Sequence, residues 1–125
     1  MTVPNRAMVR NGVRVAATGP TLTISGILRE PEVGSWLIPL VEEMHQSAVE
    51  EALEELVLDL RNLEYGNASI WKCLVHWLKL AREDPRARYR LRVRSSAGRR
   101  WQEIGMSALR VFGGDRLVVA HDAAD

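Results

Sequence analysis

The chain has 125 residues, is 46% hydrophobic and 26% charged, and carries a formal net charge of +1. That is enough apolar material for one globular core, and a balance this close to zero leaves no bulk electrostatic reason for nucleic-acid or membrane binding. A single cysteine, Cys73, excludes an internal disulfide. It suits a reducing compartment as a small core residue. The N-terminus lacks the apolar stretch of a signal peptide, and no segment approaches the length of a membrane span, so a cytoplasmic protein is expected.

Taken in chain order, Gly12 to Thr18 and Thr21 to Leu28 read as two strands joined by the turn dipeptide Gly19-Pro20. Glu30 to Gly34 is a connector. Trp36, Leu37, Leu40, Val41, Met44, Ala48, Val49 and Ala52 then recur at helical spacing up to about Leu53. Proline is tolerated only in a helix's first turn, so regular helix is expected to begin near Pro39, with Ser35 as a candidate cap. Leu56 to Leu60 is an apolar central strand, and a short polar loop follows it. Ile70, Cys73, Leu74, Trp77, Leu78 and Ala81 form the core stripe of a second helix that Pro85 closes. Arg88 to Arg94 reads as a strand, Trp101 to Phe112 as a third helix ended by Gly113-Gly114, and Arg116 to Ala120 as a last strand. Both termini read as loose. The expectation is a single domain, residues 1–125, with an ordered core from about 7 to 121.

This order of elements implies an α/β fold, a mostly parallel sheet of about five strands. Strands buried on both faces read as continuous apolar runs, and only Leu56 to Leu60 comes near to that. Thr21, Thr23 and Ser25 alternate with Leu22, Ile24 and Gly26, and Arg88, Arg90, Arg92 and Arg94 with Tyr89, Leu91 and Val93. The three helices are therefore expected largely on one face. The arginine row, with side chains about 7 Å apart, reads as a solvated strand face in preference to an anion surface.

Trp36, Trp71 and Trp101 each fall near the N-terminus of an expected helix, ends that gather at the C-terminal edge of a parallel sheet. They form either a partner-binding rim or lids over the helix ends. Trp77 belongs to the core. His45, His76 and His121 are scattered, with no metal-ligand spacing, and each reads as a helical surface residue; Glu42 with His45 is only half of a carboxylate-bridged pattern. Ser69 lacks the glycines of a nucleophile elbow, and no phosphate loop or dinucleotide fingerprint occurs. No metal or cofactor is expected.

The segment Leu56 to Trp71 puts a buried strand ending in Asp59-Leu60, a short loop and a helix start in succession. It resembles the central segment of STAS domains, the fold of bacterial anti-sigma-factor antagonists, in which such a strand leads to an Asp-Ser-Ser/Thr-Gly turn opening a helix. Leu28-Arg29 with Pro31, and Trp101-Gln102, add to the likeness, which is closest to the STAS-like branch of partner-switch regulators and covers most of residues 12 to 120. In that family the first hydroxyl of the turn is phosphorylated. Here the turn reads Asn67-Ala68-Ser69-Ile70: alanine stands at the usual acceptor position, an amide replaces the acid, isoleucine replaces the glycine, and Ser69 keeps the second hydroxyl.

The resemblance implies a non-enzymatic module binding a serine kinase or anti-sigma-like partner. Contacts would come from Tyr65, Asn67, Ala68, Ser69, Trp71 and Lys72, with Trp36 and Trp101 on the rim, and Ser69 is the candidate phosphorylation site. A phosphate at a helix N-terminus adds nearly two negative charges where the helix dipole favours them. The alternative is a constitutive interaction or dimerisation subunit, a homodimer included, that has lost the switch. A small hydrolase using Ser69 is a third and weaker reading.

Overall fold

Alternation within the strands decides how the sheet is used. The computed structural model describes residues 5–10, 12–96 and 98–122. In chain order they form β1 (Asn5–Arg10), β2 (Val13–Thr18), β3 (Thr21–Leu28), α1 (Gly34–Glu50), β4 (Glu55–Asp59), β5 (Leu63–Gly66), α2 (Ala68–Glu83), β6 (Arg90–Ser96), α3 (Arg100–Gly113) and β7 (Leu117–Asp122). The sheet has seven strands in the order β1-β2-β3-β4-β6-β7, with β5 also paired to β3. The first three form an antiparallel meander, and every other pairing is parallel. Val13, Val15, Leu22, Ile24, Leu56, Leu58, Leu91 and Val93 are buried, while the residues between them on β2, β3 and β6 keep some exposure. α2 packs against both α1 and α3, so the helices form one layer over the apolar face. The expected α/β fold with three helices on one face is what forms. No helix among the described residues is long and apolar enough to cross a membrane.

Two strands beyond the expected five are present. β1 pairs along the whole of β2, but among its described side chains only part-buried Met8 packs on the core, and Val9 beside it is 75% exposed. An edge strand so weakly amphipathic leaves no period-2 signal. β5 falls where a polar loop was expected. β3 is long enough to pair twice on one edge, with β4 at Thr21–Thr23 and with β5 at Gly26–Leu28. Within the β5 pairing the register shifts between Gly26 and Ile27, and Gly26 has a φ of +100° and a position where a Cβ would lie 2.2 Å from the Gly12 carbonyl oxygen. Only glycine fits there.

α1 starts before Pro39, which lies inside the helix, and Val33 stands at its cap without a side-chain bond. Ser35 does not cap: its Oγ donates to the Glu32 carbonyl, within a tight turn that already directs the Trp36 and Leu37 N–H groups to the Val33 carbonyl. The helix ends in a Schellman closure, with Leu53 N–H donating to Ala48 and Ala52 N–H to Val49. Ala52 occupies the left-handed position at φ +51°.

One histidine departs from the expected surface role. His45 is 5% exposed, its Nδ1 2.7 Å from the Tyr89 hydroxyl and its Nε2 2.8 Å from Asp84 Oδ2. Arg86, by side-chain and backbone hydrogen bonds, and then His45 hold the Asp84 carboxyl well below the usual carboxylate range. An ionised carboxylate only accepts, so Nε2 carries the proton, and in the neutral ring Nδ1 takes the Tyr89 hydrogen. Burial pushes the Tyr89 hydroxyl up, so that it stays a donor. The linkage ties α1 to the end of α2 and to the approach to β6. His76 is partly exposed and faces Glu42 at 3.2 Å, so Glu42 pairs with it and not with His45. The His121 side chain lies outside the described part of the molecule.

Candidate functional site

The start of α2 is set by one asparagine. Asn67 caps the helix, its Oδ1 accepting from the Ser69 N–H at 3.0 Å, and its Nδ2 donating to the Glu30 carbonyl at 2.9 Å. Ser69 Oγ donates to the Pro31 carbonyl at 2.9 Å. Both side chains thus reach across to the connector between β3 and α1, and the β3–β5 pairing brings that connector alongside. Ala68 and Lys72 are exposed, and Ser69 is half-buried. Arg29, Tyr65 and Asn67 line a shallow hollow of about 340 Å³ beside it.

Next to this start lies a row of aromatic rings. Trp101 stands between Tyr65, at 6.0 Å centroid to centroid, and Trp71, at 5.7 Å, in tilted pairs. Its indole N–H donates to the Glu64 carbonyl at 2.8 Å, and its ring rests on Gly66, where a Cβ would come within 3.1 Å. Trp71 in turn lies against α3: a Cβ at Gly105 would be 2.1 Å from its ring. A mid-helix glycine costs roughly 0.5–1 kcal/mol relative to alanine, and here it makes room for an indole. Trp71, Trp101, Ile104, Gly105 and Ala108 line a mostly apolar groove of about 410 Å³. Ile104 on its lip is 65% exposed.

Trp36 takes a separate place. Its indole N–H donates to Glu30 Oε2 at 2.7 Å, and the Arg10 guanidinium lies 5.4 Å from its ring and 3.1 Å from Glu30 Oε1. Arg10 and then Trp36 lower the Glu30 carboxyl. The expected aromatic rim is therefore two clusters, Tyr65–Trp101–Trp71 and Trp36–Glu30–Arg10, with the Glu30–Pro31 connector between them.

No protein-family model, curated protein or solved structure matches this chain. The site rests on its own geometry, and several of its supports escape a motif search. Gln102 is fully buried, with Nε2 donating to the Leu60 and Leu63 carbonyls and Oε1 accepting from the Ser96 N–H. It pins the turn between β4 and β5 to the end of β6. Beside it Arg61 forks Asp59 at 3.0 and 2.8 Å. Burial raises the Asp59 carboxyl, but the Arg61 bonds and charge, with Arg94, outweigh it and leave it below its ordinary value. Gly66 and Gly105 carry a visible signal, glycine inside an otherwise regular pattern. The roles of Glu30 and Pro31 depend on the β3–β5 pairing and carry none. Among the described residues no group of three His, Cys, Asp or Glu could hold a metal. The arginine row of β6 is partly neutralised, with Arg92 bonded to Glu55 at 3.0 Å.

Proposed function

We propose that the chain is a non-enzymatic regulatory module of the STAS-like type, acting in the cytoplasm, which binds a serine kinase or anti-sigma-like partner of a bacterial partner-switching pathway. The contact surface is the start of α2 with its aromatic row: Tyr65, Asn67, Ala68, Ser69, Trp71, Lys72 and Trp101. The observation that carries this reading is the capped helix start, with Ser69 in its first turn and a part-exposed aromatic row beside it. Aromatic residues in such positions dominate interface energies, while a helix N-terminus tolerates an added anion. In the switched form a kinase transfers the γ-phosphoryl group of ATP to Ser69 Oγ, which gives up its proton. The Pro31 hydrogen bond is then lost, and a dianion enters a surface that the partner must desolvate.

A second reading, a constitutive interaction or dimerisation subunit, is favoured by the same hydrogen bond. Ser69 Oγ is engaged with Pro31, and exposed Ala68 stands at the usual acceptor position. Affinity capture from the native cell, with intact-mass analysis of the captured chain and parallel capture on Ser69→Ala and Ser69→Asp, separates the two. The switched module predicts phosphate on Ser69 and a partner released by Ser69→Asp. Unmodified protein with both variants capturing the same partner as wild type supports the constitutive subunit. Capture of no partner by any form refutes both.

A further inference from the structure

We propose that the groove between α2 and α3 seats an acidic amphipathic helix of the partner; this rests on reading the Ser69 surface as a partner site and names what lies next to it. The floor is apolar, formed by Trp71, Val75, Trp101, Gly105 and Ala108. Beyond it, a separate hollow of about 230 Å³ is lined by Lys79, Arg82, Glu83 and Phe112. From Trp101 to Phe112 the axial rise is about 16 Å, three turns of helix, which matches apolar side chains at i, i+3 or i+4, and i+7 of an occupant. Ile104, 65% exposed, and Val111, 88% exposed, extend the apolar surface beyond the floor. An apolar strip of this kind on one helix face calls for a cover.

Charge selects the cover. α2 and α3 carry Lys72, Lys79, Arg82, Arg100 and Arg110 against only Glu83 and Glu103. The chain's two lysines, in a sequence otherwise rich in arginine, both stand exposed on α2, seven positions apart. That places two flexible cations about 10 Å apart on α2, Lys79 of them in the lining of the far hollow, where carboxylates two turns apart on an occupying helix can meet them. At the far end Arg82 is held over the Phe112 ring at 5.4 Å and donates to the Phe112 carbonyl at 2.7 Å, which fixes a third cation at the groove's end. The chain's own glutamate-rich helix, α1, cannot fill the groove from a second copy. Its apolar face, Leu37, Leu40, Val41 and Met44, is already buried in the core. With α1 of a second copy excluded and the helices around the groove carrying more cations than anions, the occupant we propose is an acidic helix from another protein.

The test is a fluorescence-polarisation titration of the full chain with two synthetic 14-residue helices. One carries leucine at i, i+3 and i+7 with glutamate elsewhere, and the other replaces every glutamate by lysine. The glutamate helix should bind at least about tenfold more tightly, weaken as salt rises, and change tryptophan emission. Ile104→Asp should abolish binding, and the exposure of Ile104 keeps the fold intact. Lys72→Glu with Lys79→Glu should cost about tenfold and shift preference toward the lysine helix. Equal binding of the two helices, binding of neither, or binding unmoved by Ile104→Asp overturns the proposal. Partner capture keeps the two readings apart. Capture that Ser69→Asp releases and Ile104→Asp leaves untouched retains the Ser69 surface and removes the groove. Capture that responds only to the groove variants does the reverse.

Discussion

Gly105→Ala isolates the contact on which the aromatic row depends. In an exposed helix interior this substitution normally stabilises, by about 0.5–1 kcal/mol of backbone entropy and propensity. At this position the added Cβ would lie 2.1 Å from Cζ2 and 2.2 Å from Cε2 of Trp71. Ordinary carbon contacts begin near 3.5 Å, so the indole must move by more than about 1 Å. Such a shift disturbs its pairing with Trp101 at 5.7 Å, and overpacking of this kind costs about 1–3 kcal/mol. The net expectation is a loss of about 1–2 kcal/mol, or roughly 3–6 °C in melting temperature for a domain of this size. Denaturant melts on a double-mutant cycle check the cause. Trp71→Ala alone should cost about 2–3 kcal/mol, and in that background Gly105→Ala should turn stabilising, for a coupling of about 1.5–3 kcal/mol. A Gly105→Ala protein more stable than wild type, or a coupling near zero, would refute the argument that the glycine exists for the indole.

Ala52→Gly should stabilise by about 0.5–1 kcal/mol, read by the same melts, because glycine takes the left-handed position at φ +51° without the Cβ conflict that alanine bears. Asp84 and Asp59 both have depressed carboxyls in the fold, so their contribution to stability is complete above about pH 4, where the unfolded chain is ionised too. It is lost as pH falls through the native values; urea midpoints that do not decline between pH 4 and pH 2, or that decline as steeply in Asp84→Asn, would sink that assignment. Burial alone pushes the Cys73 thiol up to about 11. A disulfide reagent at pH 8 should therefore leave the native protein unlabelled and react at once after unfolding in urea.

How much of this was legible in the sequence follows from which interactions are periodic. β3 begins and ends where the alternation of Thr21 to Leu28 puts it, and the stripe from Ile70 to Ala81 is buried throughout in α2. Burial over many residues writes a repeating pattern that survives without knowledge of neighbours. β5 writes none, because four residues with the burial order of Leu63, Glu64, Tyr65 and Gly66 have no period. Its existence depends on the reach of β3 past β4. His45 failed for a related reason: its spacing on α1 marks the inward face as readily as the outward one, and only Tyr89 and Asp84, brought in by other elements, make burial affordable. Of the site, Tyr65, Asn67, Ser69 and Trp71 were legible from their place after the strand, and the approach of Trp101 to Trp71 from their positions at helix starts. The departure of Trp36 was not, since the Glu30 side chain that holds it is positioned by the connector.

The polar atoms of the rim bear on what the proposed switch would have to do. Asn67, Ser69, Trp101 and Gln102 all donate to backbone carbonyls, at Glu30, Pro31, Glu64, and Leu60 with Leu63. Side chains committed in this way hold a surface ready-made, so a partner meets little ordering cost on binding. They also limit where a local change can be felt. Of these donors only Ser69 Oγ can accept a phosphoryl group, and its bond to Pro31 ties the start of α2 to the connector, as the bond from the capping Asn67 to Glu30 also does. Losing it would leave the cap on α2 intact while loosening the connector that carries Glu30, and through Glu30 the Arg10–Trp36 cluster on the far side. Phosphorylation at Ser69, in the proposed mechanism, therefore acts on the partner surface and on the connector together, without melting the helix that presents both.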